Sequence, residues 1–248
     1  MKIIIYRIGV LVAAILLWWF FSTIVERQLI PSPLATFHAA QRLIAEGRLS
    51  TALLDTLSIY VGGYGAAILI GIPLGLLMGT VRTLGKTLDI FVYALSATPR
   101  VAFIPLIIVF LGLGASAKTF IVFLGAVMPI LINAYAGALN SDEDLVEMAR
   151  SVGASKSRIF REIVLPGALP FAITGLRIGA TIGLINTVVA ELYTAVRGLG
   201  GLLAIYGNTF RMAEYFVIVF TLALIGVLVT TALRLLEMRL ERWRGNGA

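Results

Sequence analysis

The sequence contains no cysteine and a single histidine, His38, in 248 residues. It therefore offers no disulfide, no thiol nucleophile and no cysteine-rich or histidine-rich metal site. Charged residues are also scarce, at 13% of the chain, whereas a soluble domain carries about a quarter. With 59% hydrophobic residues and a mean hydropathy of +0.98, the composition predicts an integral membrane protein.

Six apolar segments are long enough to cross a bilayer, which takes about 20 residues of helix. They lie at roughly 4–25, 56–80, 88–112, 117–138, 168–195 and 213–236. The first could instead be a signal peptide, but it is long for one and no cleavage site follows it. In the second, Gly71, Gly75 and Gly79 recur every four residues, which predicts close packing on another helix. We expect an all-α membrane protein with one transmembrane domain over 1–248.

Lysine and arginine are distributed unequally between the connections. If the N-terminus is inside, the inner connections hold Lys2, Arg7, Arg82, Lys86, Arg150, Lys156, Arg158, Arg161, Arg234, Arg239, Arg242 and Arg244. The outer connections hold Arg27, Arg42, Arg48, Lys118, Arg197 and Arg211. This bias predicts that both termini are cytoplasmic and that residues 31–51, which could form a short amphipathic helix, lie outside. It also accounts for the net charge of +7 without a nucleic-acid partner.

The segment 140–167 is charged although it lies between two apolar runs. Ser141 and Asp144 resemble a capping box that starts a helix. Gly153 suits the left-handed residue at a helix end. The apolar positions between them follow helical spacing, at Leu145, Met148, Ala149 and Val152.

A second short helix is expected to follow Gly153. Ser155 can cap it, Arg158 and Glu162 form an i,i+4 pair, and Pro166 is expected to end it. The pattern alone leaves two alternatives open. The segment is either an amphipathic hairpin on the membrane surface or a compact knob that docks into a soluble partner.

The spacing Glu147-x-Ala149-x-x-x-Gly153-x(9)-Ile163-x-Leu165-Pro166 resembles the EAA loop of ABC importer permeases, with Met148 where alanine is common. The stretches 97–114, 125–139, 169–179 and 190–203 resemble the nitrate/sulfonate/taurine-type permeases. The resemblance covers roughly residues 50–244.

This resemblance implies a transmembrane subunit of a type I ABC importer in a bacterial inner membrane, paired with a second copy of itself. It implies two cytoplasmic ATPases, which bind ATP and Mg²⁺, and an extracytoplasmic substrate-binding protein. The chain itself is not expected to be an enzyme, since it has no G-x-x-x-x-G-K-[ST] phosphate loop. The residues expected to couple it to the ATPases are Glu147, Ala149, Gly153, Ala154, Ser155 and Phe160.

Ionisable side chains inside spans are costly and often line a pathway. Arg100, between two prolines, suits an anionic substrate, but it could equally pair with Glu191 or a carbonyl group. Arg177 could reach the interface or form a pair. Glu191 is a candidate gate near the outer mouth. Neutral groups that are candidates for the pathway or for interhelical bonds are Asn133, Asn186 and Tyr193.

Two other classes of protein are weaker alternatives. A membrane-embedded enzyme needs a nucleophile or a metal cluster, and no such set of residues can be assembled here. A channel or secondary transporter would move solute without ATP, and inverted repeats are not evident. The expected substrate is a small anion such as a sulfonate, taurine or nitrate. A vitamin precursor, a flavin or an aromatic carboxylate is the alternative.

Overall fold

The computed structural model describes residues 2–25, 29–194 and 197–241, and the regular structure within them is helical. The helices are α1 (Lys2–Ile24), α2 (Pro33–Ala45), α3 (Arg48–Thr80), α4 (Arg82–Ala97), α5 (Ile104–Leu111), α6 (Ala115–Leu139), α7 (Glu143–Ser151), α8 (Lys156–Ile159), α9 (Leu165–Thr194), α10 (Leu199–Asn208) and α11 (Met212–Glu241). A 3-10 turn covers Arg100–Phe103, and a π turn covers Phe160–Val164. Three arginines of the charge count, Arg27, Arg242 and Arg244, lie outside the described residues.

Five helical runs are long and apolar enough to cross a membrane: Ile3–Ile24, Arg48–Thr80, Ala115–Leu139, Lys156–Thr194 and Met212–Arg239. They correspond to five of the six expected spans. The all-helical fold class is thus confirmed. The last residue of the expected fifth span, residue 195, lies outside the described residues.

The remaining expected span, 88–112, is not one straight helix. Helix α4 and the run Arg100–Leu111 meet at an angle of 82°, so they form one bent span or a re-entrant pair. The break follows from Pro99, because a proline disfavours helical geometry in the residue before it. Thr98 is accordingly extended, with ψ 132°. Pro105 is tolerated in the first turn of α5, where a helix needs no backbone N–H donor.

Contacts within the chain divide it into two compact units. One comprises Met1–Leu57 with Glu191–Ile225, and the other comprises Ser58–Ala190 with Gly226–Ala248. In the second unit, α6 is the central helix. The glycine row of α3 packs against it: a Cβ on Gly71 would lie 3.0 Å from Ile130, and one on Gly75 would lie 2.8 Å from Ala134. The expectation of close packing at this row is confirmed.

Pro166 does not end a helix, contrary to the sequence prediction. The helical run continues from Lys156 to Thr194. The π turn that precedes Pro166 is the physical reason. There the N–H of Leu165 bonds to the carbonyl of Phe160, five residues back. The widened turn accommodates a proline ring that would clash with the carbonyl four residues earlier in a regular helix.

Candidate functional site

The hairpin of residues 140–167 turns at Gly153 through a Schellman motif. The N–H of Ala154 donates to the carbonyl of Ala149 at 2.9 Å, and the N–H of Gly153 donates to the carbonyl of Arg150 at 3.0 Å. Gly153 has a φ of 77°, as its sequence context predicts. The motif residues Ala149, Gly153 and Ala154 therefore occupy the three positions that define this helix end.

The two helices of the hairpin are both capped by side chains. Asp142, rather than Ser141, caps α7: its Oδ1 accepts from the N–H groups of Asp144 and Leu145 at 3.0 and 3.1 Å. Ser141 instead donates to the carbonyl of Ala138 at 2.9 Å. The predicted cap at Ser141 is therefore wrong by one residue, because the adjacent aspartate presents the stronger acceptor to the same N–H groups.

The start of the second helix is as predicted. Ser155 Oγ accepts from the N–H of Arg158 at 3.3 Å. Arg158 and Glu162 form the expected i,i+4 pair, with Nε and the carboxylate 3.1 Å apart. Both side chains are largely exposed, so this pair contributes little to stability.

The residues of the hairpin divide between an inner and an outer face. Val146, Ala149, Ala154 and Phe160 pack against a buried cluster formed by Leu76, Ala134, Ala138, Ile159, Val164 and Ala168. Glu147, Gly153 and Ser155 are exposed. Three large apolar side chains are exposed as well, with 45% exposure at Leu145, 63% at Met148 and 80% at Val152.

This division separates residues that the sequence groups together. Leu145, Met148, Ala149 and Val152 follow one helical periodicity, yet only Ala149 packs inward. Leu145, Met148 and Val152 recur at i, i+3 and i+7, so they form one stripe along α7. The sequence shows the helical spacing of these residues but not that their side chains face outward. An outward apolar stripe on a charged hairpin is suited to contact another surface.

Arg100 lies at the break between α4 and α5 and is half-buried. Its Nη1 donates to the carbonyl oxygen of Gly125 on α6 at 2.7 Å. The sequence left either Glu191 or a carbonyl group as the partner of Arg100, and the structure shows a carbonyl group. Asn186 lies at the same place, since a Cβ on Gly125 would be 2.7 Å from its Cγ. Arg100 and Asn186 therefore both lie beside Gly125.

The other polar candidates are more dispersed. Asn133 Nδ2 donates to the carbonyl of Pro129 in its own helix at 2.8 Å. Tyr193 is exposed near the end of α9. Arg177, which the sequence suggested could pair, forms an ion pair with Glu237 at 3.2 Å.

Glu191 is fully buried beside the N-terminus of α10. Its carboxylate accepts from the N–H of Gly200 at 2.8 Å and from the hydroxyl of Thr56 at 3.0 Å. The same Thr56 hydroxyl accepts from the N–H of Leu199 at 2.8 Å. Together the two side chains satisfy N–H groups that a helix start leaves without intrahelical partners. The sequence offered no indication that Thr56, far away along the chain, belongs here.

Gly198 makes this arrangement sterically possible. It has a φ of 90°, and a Cβ at this position would collide with the carboxylate of Glu191. Two properties therefore require glycine here: the positive φ, and the lack of room for a Cβ beside the carboxylate. An ionised carboxylate at this position would be stabilised, because backbone dipoles make the helix start positive.

A second charged group lies in the first unit, around Glu214. Arg211 Nη2 lies 2.7 Å from its Oε1, and Arg42 Nη2 lies 3.4 Å away. The hydrogen bond to Glu214 raises the pKa of the Arg211 guanidinium further above its already high value. Among the described residues, no group of three or more histidine, aspartate or glutamate side chains could hold a metal ion.

Comparison with known proteins identifies the class of this membrane protein. The family described as "Binding-protein-dependent transport system inner membrane component" matches residues 71–244. The chain belongs to this family of ABC importer permease subunits. The resemblance read from the EAA-like spacing is confirmed, and the enzyme and channel alternatives are set aside.

Two curated relatives match this permease over most of their length. It is 31% identical to the "Taurine transport system permease protein TauC" of Escherichia coli K12, over 96% of this chain and 89% of that protein. It is 27% identical to the "Nitrate import permease protein NrtB" of Synechocystis, over 93% of this chain and 87% of that protein.

A solved structure supports the fold of the permease. A chain of the MetNI methionine ABC transporter, in an inward-facing conformation, aligns with a TM-score of 0.67 at 21% identity. The alignment covers 77% of this chain and 95% of that chain. The permease thus has the fold of type I ABC importer transmembrane domains.

Proposed function

We propose that two copies of this permease form the pathway of a bacterial importer for a small anion. The anion is either a sulfonate, such as taurine, or nitrate. Two cytoplasmic ATPase subunits, which bind ATP and Mg²⁺, dock on the 140–167 hairpins and supply the energy. An extracytoplasmic binding protein delivers the substrate. In this proposal residues 1–248 form one transmembrane domain in the inner membrane, with both termini in the cytoplasm.

The observation that carries the proposal is the two-sided construction of the hairpin. Its inner face, which includes Ala149, Ala154 and Phe160, packs on the ends of the spanning helices. Its outer face presents Met148 and Val152. A knob fixed on one side and apolar on the other suits a groove in a soluble subunit. The exposed Glu147, Gly153 and Ser155 lie beside that contact.

Met148→Glu is expected to reduce the ATPase subunit that copurifies with the tagged permease by about tenfold or more. The side chain is 63% exposed, so the change leaves the packing of the permease intact. A buried charge without a partner at an interface costs several kcal/mol. Mass spectrometry of the gently solubilised complex measures the result.

Met148→Leu is the matched control, because it keeps an apolar side chain of similar volume. It should retain the ATPase. If the glutamate variant retains the ATPase as well as the wild type does, the outer face of α7 is not the docking surface.

The charge of Arg100 supports an anionic substrate. We propose that Arg100 and Asn186, which both lie beside Gly125, contact the substrate on its way through the spans, with Asn133 as a further polar group of the second unit. Glu191 and Tyr193, in the first unit, are separate candidates for the pathway. A half-buried guanidinium forms strong charge-assisted hydrogen bonds with sulfonate or nitrate oxygens.

Arg100→Gln is therefore expected to lower anion uptake into cells by about tenfold to a hundredfold, since one charged hydrogen bond contributes about 1.5–3 kcal/mol. Arg177→Gln removes an equal charge from the Glu237 pair and should retain most of the uptake. Unchanged apparent KM and maximal rate in Arg100→Gln would remove Arg100 from the pathway.

A further inference from the structure

Helix α2 has three distinct faces, all within the first unit. Thr36, Ala39 and Leu43 are buried against the protein. Leu34, Phe37 and Ile44 are exposed by 65%, 58% and 63% and share one flank of the helix. The next flank is polar, with His38 and Arg42 exposed, whereas the exposed Gln41 lies between Leu34 and Phe37. A helix that faces only protein and water does not need the exposed apolar flank.

The beginning of α2 is tied to the first spanning helix. The indole Nε1 of Trp18 donates to the carbonyl of Pro31 at 3.0 Å, just before α2 starts. Trp18 lies six residues before the end of α1, and it stacks on Phe216 of α11 with ring centroids 5.8 Å apart. Tryptophan prefers the boundary between hydrocarbon and water, where its ring is apolar and its N–H is polar.

The far part of α2 is tied to the start of another span. Arg42 reaches Glu214, the third residue of α11, at 3.4 Å. The span of α11 begins at Met212. Both attachments thus lie where α1 and α11 approach the membrane surface. Attachment at both points would hold a helix of 13 residues, about 20 Å long, along that surface.

We infer that α2 is an interfacial helix, with Leu34, Phe37 and Ile44 among the lipid acyl chains and His38 and Arg42 in the aqueous headgroup layer. The lipid surface continues from α1, of which the most apolar 18-residue stretch has no buried residue. Separate apolar and basic polar flanks are typical of helices that lie in a bilayer interface. That the outer leaflet is the one contacted rests on the orientation given in the proposed function.

The test exploits the absence of cysteine in the chain. Phe37→Cys, Ile44→Cys and the polar-flank control His38→Cys each give one labelling site in the full permease, reconstituted in vesicles after its uptake activity has been checked. An environment-sensitive fluorophore is attached to each cysteine. Lipids brominated on their acyl chains and aqueous iodide serve as the two quenchers.

Labels at 37 and 44 should be quenched by brominated lipid at least threefold more than the label at 38, and iodide should give the reverse order. Equal iodide quenching at all three positions, without lipid quenching, would overturn the inference. So would labels that become protected only when the substrate-binding protein is added, since that protein would then cover the stripe.

The same vesicles separate this inference from the proposed orientation. Iodide added outside right-side-out vesicles should reach the label at 38. If it reaches that label only in inside-out vesicles while lipid quenching at 37 and 44 persists, the orientation fails and the interfacial helix stands.

Discussion

Gly153→Val should abolish energy coupling while leaving a folded permease in the membrane. Gly153 has a φ of 77° and closes the Schellman motif at the end of α7. A left-handed conformation costs an L-residue about 1–2 kcal/mol, and a β-branched side chain more. The chain can relieve this strain by remodelling the turn, which displaces the outer stripe from the inner face. We expect at least a tenfold loss of copurified ATPase and of ATP-dependent uptake.

Gly47 supplies a matched control. It follows α2, has a φ of 71° and, like Gly153, has open space around an added Cβ. Gly47→Val therefore introduces a similar strain far along the chain from the hairpin. It should leave the bound ATPase near the wild-type level. Equal loss in both variants would mean that backbone strain acts through general instability, and retention of coupling in Gly153→Val would contradict the assignment of the hairpin.

Glu191→Leu is expected to give the largest loss of stability of any single change in the first unit. The variant removes the acceptor of the Gly200 N–H and of the Thr56 hydroxyl at a fully buried position. A buried donor left without an acceptor costs about 1–3 kcal/mol, so the loss for these two donors is about 2–6 kcal/mol. For a chain of this size, that corresponds to a fall in unfolding temperature of about 5–20 °C. The tryptophan fluorescence of the detergent-solubilised complex measures it.

Glu191→Gln and Thr56→Val each remove part of the same network, so we expect smaller decreases in unfolding temperature than in Glu191→Leu. The glutamine keeps the shape and one acceptor oxygen, so its unfolding temperature should fall by roughly half as much as in the leucine variant. Thr56→Val removes the hydroxyl that serves both Glu191 and Leu199 at nearly constant volume, and it should also be destabilising. A Glu191→Leu variant that melts like the wild type but fails in transport would show that Glu191 acts in the pathway and not as a structural cap.

The sequence predicts the parts of this fold that depend on neighbours along the chain. The spans follow from their length and hydropathy, and the hairpin turn follows from the spacing of Ala149, Gly153 and Ser155. A left-handed glycine and a serine cap are requirements of the local backbone, so they leave a readable pattern. Family membership became visible for the same reason.

The two wrong sequence predictions concern the residue that caps α7 and the effect of Pro166 on the helix. Ser141 and Asp142 both suit a helix start, and the choice depends on which oxygen reaches the N–H groups. Pro99 and Pro166 carry the same local signal, yet one bends a span by 82° and the other is accommodated by a π turn. Backbone relaxation of this kind depends on the surrounding packing, which a linear pattern does not record.

The candidate site was harder to predict because its contacts are long-range. Thr56 and Glu191 are 135 residues apart in sequence, and Arg100 meets the carbonyl of a residue 25 positions away. The sequence pattern around a polar side chain in a span is the same whether that side chain contacts substrate or caps a helix. Only the position of α10 distinguishes the two uses of Glu191.

The π turn before Pro166 has a mechanical consequence. The helical run that begins at Lys156 in the hairpin continues to Ala190 within the second unit, about 50 Å further along the helix axis. A tilt of about 5° imposed at its base would move the far end by about 5 Å, comparable to one helical turn. The π turn lies near the hairpin end of this helical run. There the backbone hydrogen bond joins residues five apart instead of four. In the proposed coupling, bending at this turn would absorb part of any displacement that the ATPase imposes on the hairpin.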